Sequence, residues 1–220
     1  MHPTRPACEG RRRHRKRQPV AAFGQARDDG QAGLTLEIFL VRHGETEWTL
    51  NGRHTGRTDL PLTLHGEEEA AALKSRLADF KFDSVYSSPL QRATRTAEIA
   101  GFTNLEITPL LREVDYGDYE GITTKEIHAS RPDWELYKDG SPAGETPAQI
   151  YTRALDFLAL AESSGGRVLA FAHSHILRAV AVAWMSLEIT AASRLQLDVA
   201  TLSQLRHDEH GRLLAVWNAP

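Results

Sequence analysis

With 220 residues, 41% of them hydrophobic, the chain is long enough to bury one sizeable core, and one compact domain is expected rather than several. A formal charge of −3 lacks the basic excess of a protein that binds nucleic acid or acidic lipid over its whole surface. The single cysteine, Cys8, excludes an intrachain disulfide and a cysteine-based zinc site.

Residues 1 to 33 hold eight Arg or Lys against three acids, a net +5, while residues 34 to 220 carry −8. Scattered Pro and Gly without apolar periodicity predict a disordered tail there, either a solvated extension or the product of an early start codon. No apolar run completes a secretory signal after the basic run Arg11 to Arg17, and no later stretch reaches the length of a membrane span. A cytoplasmic protein is expected, with residues 34 to 220 as its single folded domain.

Leu36 to Val41 reads as a strand that ends abruptly in Arg42, His43 and Gly44. Leu60 to Thr63 form a turn, and Leu64 to Asp79 have helical spacing with acids early and Lys74 and Arg76 late, as the helix dipole favours. Phe82 to Ser88 predict a second strand, Pro89 the first position of a helix, and Arg92 to Ala100 that helix, closed by Gly101. The stretch from Asn104 to Ala143 reads as loops with a weak helical signal near Thr124 to Ser130. Thr146, Pro147 and Gln149 make a capping box for a helix to about Glu162. Val168 to Ala172 are continuously apolar, as a central parallel strand covered on both faces should be. After the polar turn from His173 to His175 comes a helix from Ile176 to Met185, and residues 195 to 206 and 213 to 217 predict late strands.

Strand followed by helix three times over implies a mostly parallel sheet with helices on both faces. Ligands of such sheets gather at the carboxyl ends of the strands, which brings Arg42, His43, Ser88, His173 and Ser174 to one rim. An arginine fork can grip a phosphate, and an adjacent imidazole can act as base or nucleophile. Gly44 would let main-chain N–H groups approach the anion. Neither a dinucleotide-binding glycine fingerprint nor a P-loop is present. The histidines and carboxylates near the rim allow a metal site, but two arginines there favour an anion over a dication.

The blocks LVRHGETEW (40 to 48), GRHTGRTDLPLT (52 to 63), SSPLQRATRTA (87 to 97), LREVDYGDYEG (111 to 121) and FAHS (171 to 174) together resemble the histidine phosphatase superfamily, also called phosphoglycerate-mutase-like. The resemblance implies an α/β fold, a three-layer α/β/α sandwich on a mostly parallel sheet. It makes His43 the residue that becomes phosphorylated, Arg42 and Arg92 phosphate clamps, His173 a second, protonated pocket histidine, and Glu113 the proton donor. Thr49, Thr55, Gly56, Tyr116 and Ser174 fall at candidate substrate contacts, while His175 reads as a supporting or packing histidine and Glu45 and Glu120 as salt-bridged or solvated. No cofactor and no metal are implied. The wording is closest to phosphatase branches, including broad acid phosphatases and sedoheptulose-1,7-bisphosphatase-type enzymes. The expected function is hydrolysis of small phosphorylated metabolites, sugar phosphates or bisphosphates. The alternatives are a 2,3-bisphosphoglycerate-dependent phosphoglycerate mutase and a phosphate-ligand-binding module without turnover. The expected partner is a phosphorylated small molecule, with no membrane, no nucleic acid on the folded domain, and room for a homodimer.

Overall fold

The computed structural model describes residues 36–209 and 211–220, so the basic tail and Cys8 lie outside the described residues. The first strand, β1 (Glu37–Arg42), is buried along its length up to Val41. A five-residue helix, α1 (Glu47–Asn51), follows it, then α2 (Leu64–Leu77), β2 (Ser84–Ser87), α3 (Gln91–Ile99) and the two-residue β3 (Glu106–Ile107). Two short helices, α4 (Thr124–His128) and α5 (Leu136–Asp139), precede the long α6 (Pro147–Ser164). The chain then forms β4 (Arg167–Ala172), α7 (Ser174–Trp184), β5 (Leu202–Asp208) and β6 (Gly211–Ala219).

Among the described residues the strands form one six-stranded sheet in the order β3-β2-β4-β1-β5-β6. The first four strands in chain order run parallel, and β5 and β6 add an antiparallel edge. Side-chain alternation divides β1 between two layers. Ile38 and Leu40 join the core formed with Ala154, Phe157, Leu177 and Val180 of α6 and α7. On the opposite face Phe39 meets Phe80 and Phe82, and Phe171 meets Phe102, residues just beyond α2 and α3. This is the three-layer sandwich that the resemblance implied. Val168 to Ala172 are fully buried, as expected for a central strand sealed on both sides.

The register sets the rim. Arg42 lies level with Ala172, and Ser87 with Phe171. The next residues keep the alignment: His43 N–H donates to Ala172 O at 3.0 Å and Ser88 N–H to Phe171 O at 2.9 Å. His43, Ser88 and His173 therefore leave three adjacent parallel strands at one height.

The capping box at Thr146 and Gln149 with Pro147 in the first turn forms as expected. Pro89 does not open α3. Leu90 is the cap residue and α3 starts at Gln91, whose main-chain N–H is held instead by Asp59 Oδ1 at 2.8 Å. Residues 195 to 201 are not strand either. Leu197 is buried in a loop that wraps the end of β1, with Arg42 donating to its carbonyl at 2.6 Å and Ala200 N–H donating to the carbonyls of Arg42 and His43. Apolar residues at those positions signal burial but not pairing. Among the described residues, no helix is long and apolar enough to cross a membrane.

Candidate active site

The turn after β1 is shaped by close packing. A Cβ on Gly44 would lie 2.3 Å from Gly66 O, so only glycine lets this turn seat against the start of α2. The N–H of Gly44 donates to Thr96 Oγ1 at 3.1 Å, so it anchors the turn to α3 rather than facing an anion as the sequence suggested. His43, 4% exposed, places Nδ1 2.7 Å from Gly44 O. That contact fixes the ring proton on Nδ1 and leaves the Nε2 lone pair free. Burial, followed by Arg92 and Arg42, pushes the imidazole well below its usual range, so it stays neutral.

Arg42 gives one N–H to Leu197 O, while its buried Nε has no hydrogen-bond partner among the described residues. Arg92 is fully buried and differently engaged. Its Nε donates to His173 Nδ1 at 3.0 Å, and its terminal nitrogens donate to the carbonyls of Thr58 and Thr55 at 2.9 Å and of Gly56 at 3.3 Å. The fork therefore organises the 55 to 58 loop and positions His173, and Arg92 itself lines neither of the two cavities beside Glu113. Arg92→Ala would leave three carbonyls without this donor, so it is expected to cost stability, about 3 kcal/mol, together with activity. A lowered denaturation midpoint should accompany the kinetic loss, and an unchanged midpoint would contradict this double role.

His173 is not the cation that the sequence suggested. It accepts from Arg92 at Nδ1, so Nε2 carries the ring proton and donates to Ser88 Oγ at 2.8 Å. Burial, then Arg92 and His43, hold it well below the usual histidine range. The two rings stand 5.0 Å apart. Ser88 was not singled out as a functional residue, and the signal for it was its place one residue beyond β2 at the height of His173.

Glu113 reaches the rim from the loop before α4. Its Oε2 accepts the main-chain N–H of His175 and its Oε1 that of Ile176, both at 3.0 Å. The carboxylate thus caps α7, whose own cap residue His173 makes no side-chain cap bond. Burial pushes the carboxyl up, while contact with the His175 ring, the charge that His175 and His173 carry when protonated, and the His175 main-chain N–H pull Glu113 well below the usual carboxylate range. The loop is braced by Arg153, which pairs with both oxygens of Glu145 and donates to the carbonyls of Leu110 and Arg112.

The remaining expected contacts separate. Thr49, Thr55, Tyr116 and Ser174 line a cavity of about 240 Å³ together with Arg42 and His43. The Thr49 hydroxyl is engaged in the cap of α1 with Thr46, and Ser174 is the first helical residue of α7 rather than its cap. The N–H of Gly56 is held by Glu120, and a Cβ there would sit 2.5 Å from Val114 O, so this glycine is required by packing. It borders a second cavity of about 710 Å³, lined also by Arg57, Arg112, Asp115 and Arg153, and Glu113 borders both cavities. Glu120 holds Gly56 and Thr58, and Glu45 accepts from the Thr63 hydroxyl at 2.7 Å, so both carboxylates have structural work. No cluster of three or more metal-binding side chains exists among the described residues.

Buried guanidiniums around a neutral imidazole with one nitrogen free form the surroundings that phosphoryl transfer to nitrogen calls for. Residues 38–220 match the histidine phosphatase superfamily (branch 1), and the chain belongs to that superfamily. It is 41% identical over 183 residues to an acid phosphatase of Mycobacterium tuberculosis, covering 81% of this chain and 90% of the relative. A sedoheptulose 1,7-bisphosphatase of Saccharomyces cerevisiae is 33% identical over 190 residues, covering 71% and 70%. A probable phosphoglycerate mutase of Escherichia fergusonii is 31% identical over 193 residues, covering 83% and 90%. A solved structure of an open reading frame from Mycobacterium tuberculosis superposes with a TM-score of 0.80 at 40% identity, covering 83% of this chain and 97% of that one. The chain is thus a phosphomonoester hydrolase of the histidine phosphatase type.

Proposed function

We propose that the protein hydrolyses small phosphorylated metabolites, sugar phosphates or bisphosphates, by two displacements through a phosphohistidine at His43. The observation that carries this reading is a neutral His43 with its Nε2 free, lining one cavity together with Arg42 and Glu113. In the first displacement Nε2 attacks phosphorus, the bond to the ester oxygen breaks, and Glu113 gives its proton to the leaving alkoxide. In the second, the Glu113 carboxylate takes a proton from water, the water oxygen attacks phosphorus, and the P–N bond breaks to restore neutral His43 and release phosphate. Arg42 and Arg92 balance the phosphoryl charge, and His173 contributes a neutral Nε2–H. The cavity of about 710 Å³ beside Glu113, with its charged lining, suits the polar alcohol portion of such substrates.

A mutase shares the first displacement and differs in what accepts the phosphoryl group. The Thr49 hydroxyl, bound to its own turn, is poorly placed to hold a second acidic substituent. In this reading the broad cavity that Glu113 borders serves as the way in for water and the way out for the first alcohol. In one reaction primed with 2,3-bisphosphoglycerate and containing EDTA throughout, phosphate release from 3-phosphoglycerate is expected to exceed formation of 2-phosphoglycerate. Isomerisation faster than release would make the protein a mutase, and loss of all activity to EDTA, restored by Zn²⁺ or Mg²⁺, would revive a metal mechanism.

A further inference from the structure

Tyr116 fell among the candidate substrate contacts, yet it is 1% exposed and its hydroxyl lies 2.6 Å from His175 Nδ1. The same Nδ1 stands 3.6 Å from Glu113 Oε2. One ring nitrogen therefore sits between a phenol and the carboxylate assigned to proton transfer. We propose that Tyr116 holds His175 as a neutral hydrogen-bond acceptor, and that this pair keeps Glu113 free to take up the proton it delivers. Both are then positioning residues for the acid step. The inference rests on Glu113 being the acid of the proposed mechanism.

Burial, followed by the nearby Glu113, pushes Tyr116 well above its usual value, so the phenol keeps its proton and has one to give to a neutral His175 Nδ1, the direction the proposal assigns to this contact. The His175 ring proton is then on Nε2. Without the hydroxyl, Nδ1 could take a second proton and close on Glu113 Oε2. The resulting imidazolium–carboxylate pair would hold Glu113 ionised, with no proton for a leaving alkoxide.

The other groups around the ring favour its neutral form. Burial, and the charges of Arg178 and Arg42, lower the His175 value against the pull of Glu113. His54, 6.1 Å away between ring centroids, is itself lowered to about 4 by burial and by His175. Tyr137 donates to the His175 carbonyl at 2.9 Å and fixes the backbone that carries the ring. Among the described residues Glu113 is the group that draws a second proton toward Nδ1, and in the proposed arrangement the Tyr116 hydroxyl occupies the position that proton would take.

The test is kcat/KM against pH for glycerol 3-phosphate and for p-nitrophenyl phosphate in Tyr116→Phe, His175→Gln and the double variant. For glycerol 3-phosphate, Tyr116→Phe should move the limb that rises toward acid by about one pH unit to lower pH, roughly a tenfold loss at neutral pH. Hydrolysis of p-nitrophenyl phosphate, whose leaving group needs little protonation, should change far less. In the His175→Gln background the same tyrosine change should no longer shift the limb. Lower melting temperatures with unmoved pH profiles, or a tyrosine effect of equal size with and without His175, would reduce the pair to packing and overturn the proposal. Nitrogen-15 shifts supply a readout that needs only Tyr116→Phe: His175 should be neutral in the wild type at pH 6 and doubly protonated in the variant. A ring neutral in both would also overturn it. Failure of Glu113 as the acid would show separately, as equal losses on both esters in Glu113→Gln.

Discussion

His43→Ala should reduce hydrolysis of every phosphomonoester by at least about 10³-fold while leaving the fold in place, because it removes the atom to which the phosphoryl group is transferred. The ring's own polar contact is with the carbonyl of the next residue, Gly44, so no distant segment depends on it. The turn is held by its neighbours: Gly44 to Thr96 on one side, and the main-chain N–H of His43 to Ala172 on the other. Wild-type protein quenched during turnover should carry acid-labile, base-stable phosphate, the signature of phosphorus on nitrogen, and the variant should carry none. Near-wild-type kcat in a variant with a native far-UV spectrum would move the nucleophile elsewhere. His173 is a poor substitute, since both of its ring nitrogens are already engaged by Arg92 and Ser88.

What the sequence made legible follows from which forces act locally. β1 and β4 announce themselves because continuous apolar runs have one economical place, the middle of a parallel sheet, and the polar residues ending them must then emerge at its rim. Arg42, His43 and His173 were placed together by that reasoning alone. The start of α6 at Pro147 was legible to the residue because its capping chemistry is contained in four consecutive positions. The equivalent signal for α4, Thr123 with Glu126, was legible only as weak helical character near Thr124 to Ser130, because the surrounding Gly and Pro mark the stretch as loops. Helix α1 is equally short, and its reciprocal bond uses Thr49 in place of the usual Glu or Gln.

Contacts between remote segments were not legible. Asp59 holding the start of α3, Glu113 capping α7 and Arg92 gripping the 55 to 58 loop each join residues more than thirty positions apart. The protonation of His173 depended on such a contact, because the Arg92 Nε–H on its Nδ1 decides that the ring is neutral. Residue type at the rim was readable from strand ends, whereas tautomer and charge required the third dimension.

Glu113→Gln should separate the two displacements. The amide keeps one acceptor oxygen for the start of α7, sets an NH2 donor against the other main-chain N–H at some cost in stability, and cannot give a proton to a leaving alkoxide, so kcat/KM for glycerol 3-phosphate should fall by about 10²–10⁴-fold. With p-nitrophenyl phosphate the first displacement needs little acid, and kcat/KM should fall much less. The second displacement still lacks its base, so the phosphohistidine should accumulate and nitrophenolate should appear as a burst followed by a slow steady rate. The pH dependence has a definite sign. Because Glu113 is held well below the usual carboxylate range, its protonated fraction grows as pH falls. His43, pushed well below its own usual range, stays an unprotonated nucleophile at pH values where an ordinary histidine would already be charged. Wild-type kcat/KM for the alkyl ester should therefore rise from neutral toward acidic pH, and Glu113→Gln should flatten that rise. Equal losses on both esters, without a burst, would take the acid role from Glu113. Glu45 and Glu120 would be the first alternatives, although Thr63 and the 56 to 58 loop already hold both away from proton transfer.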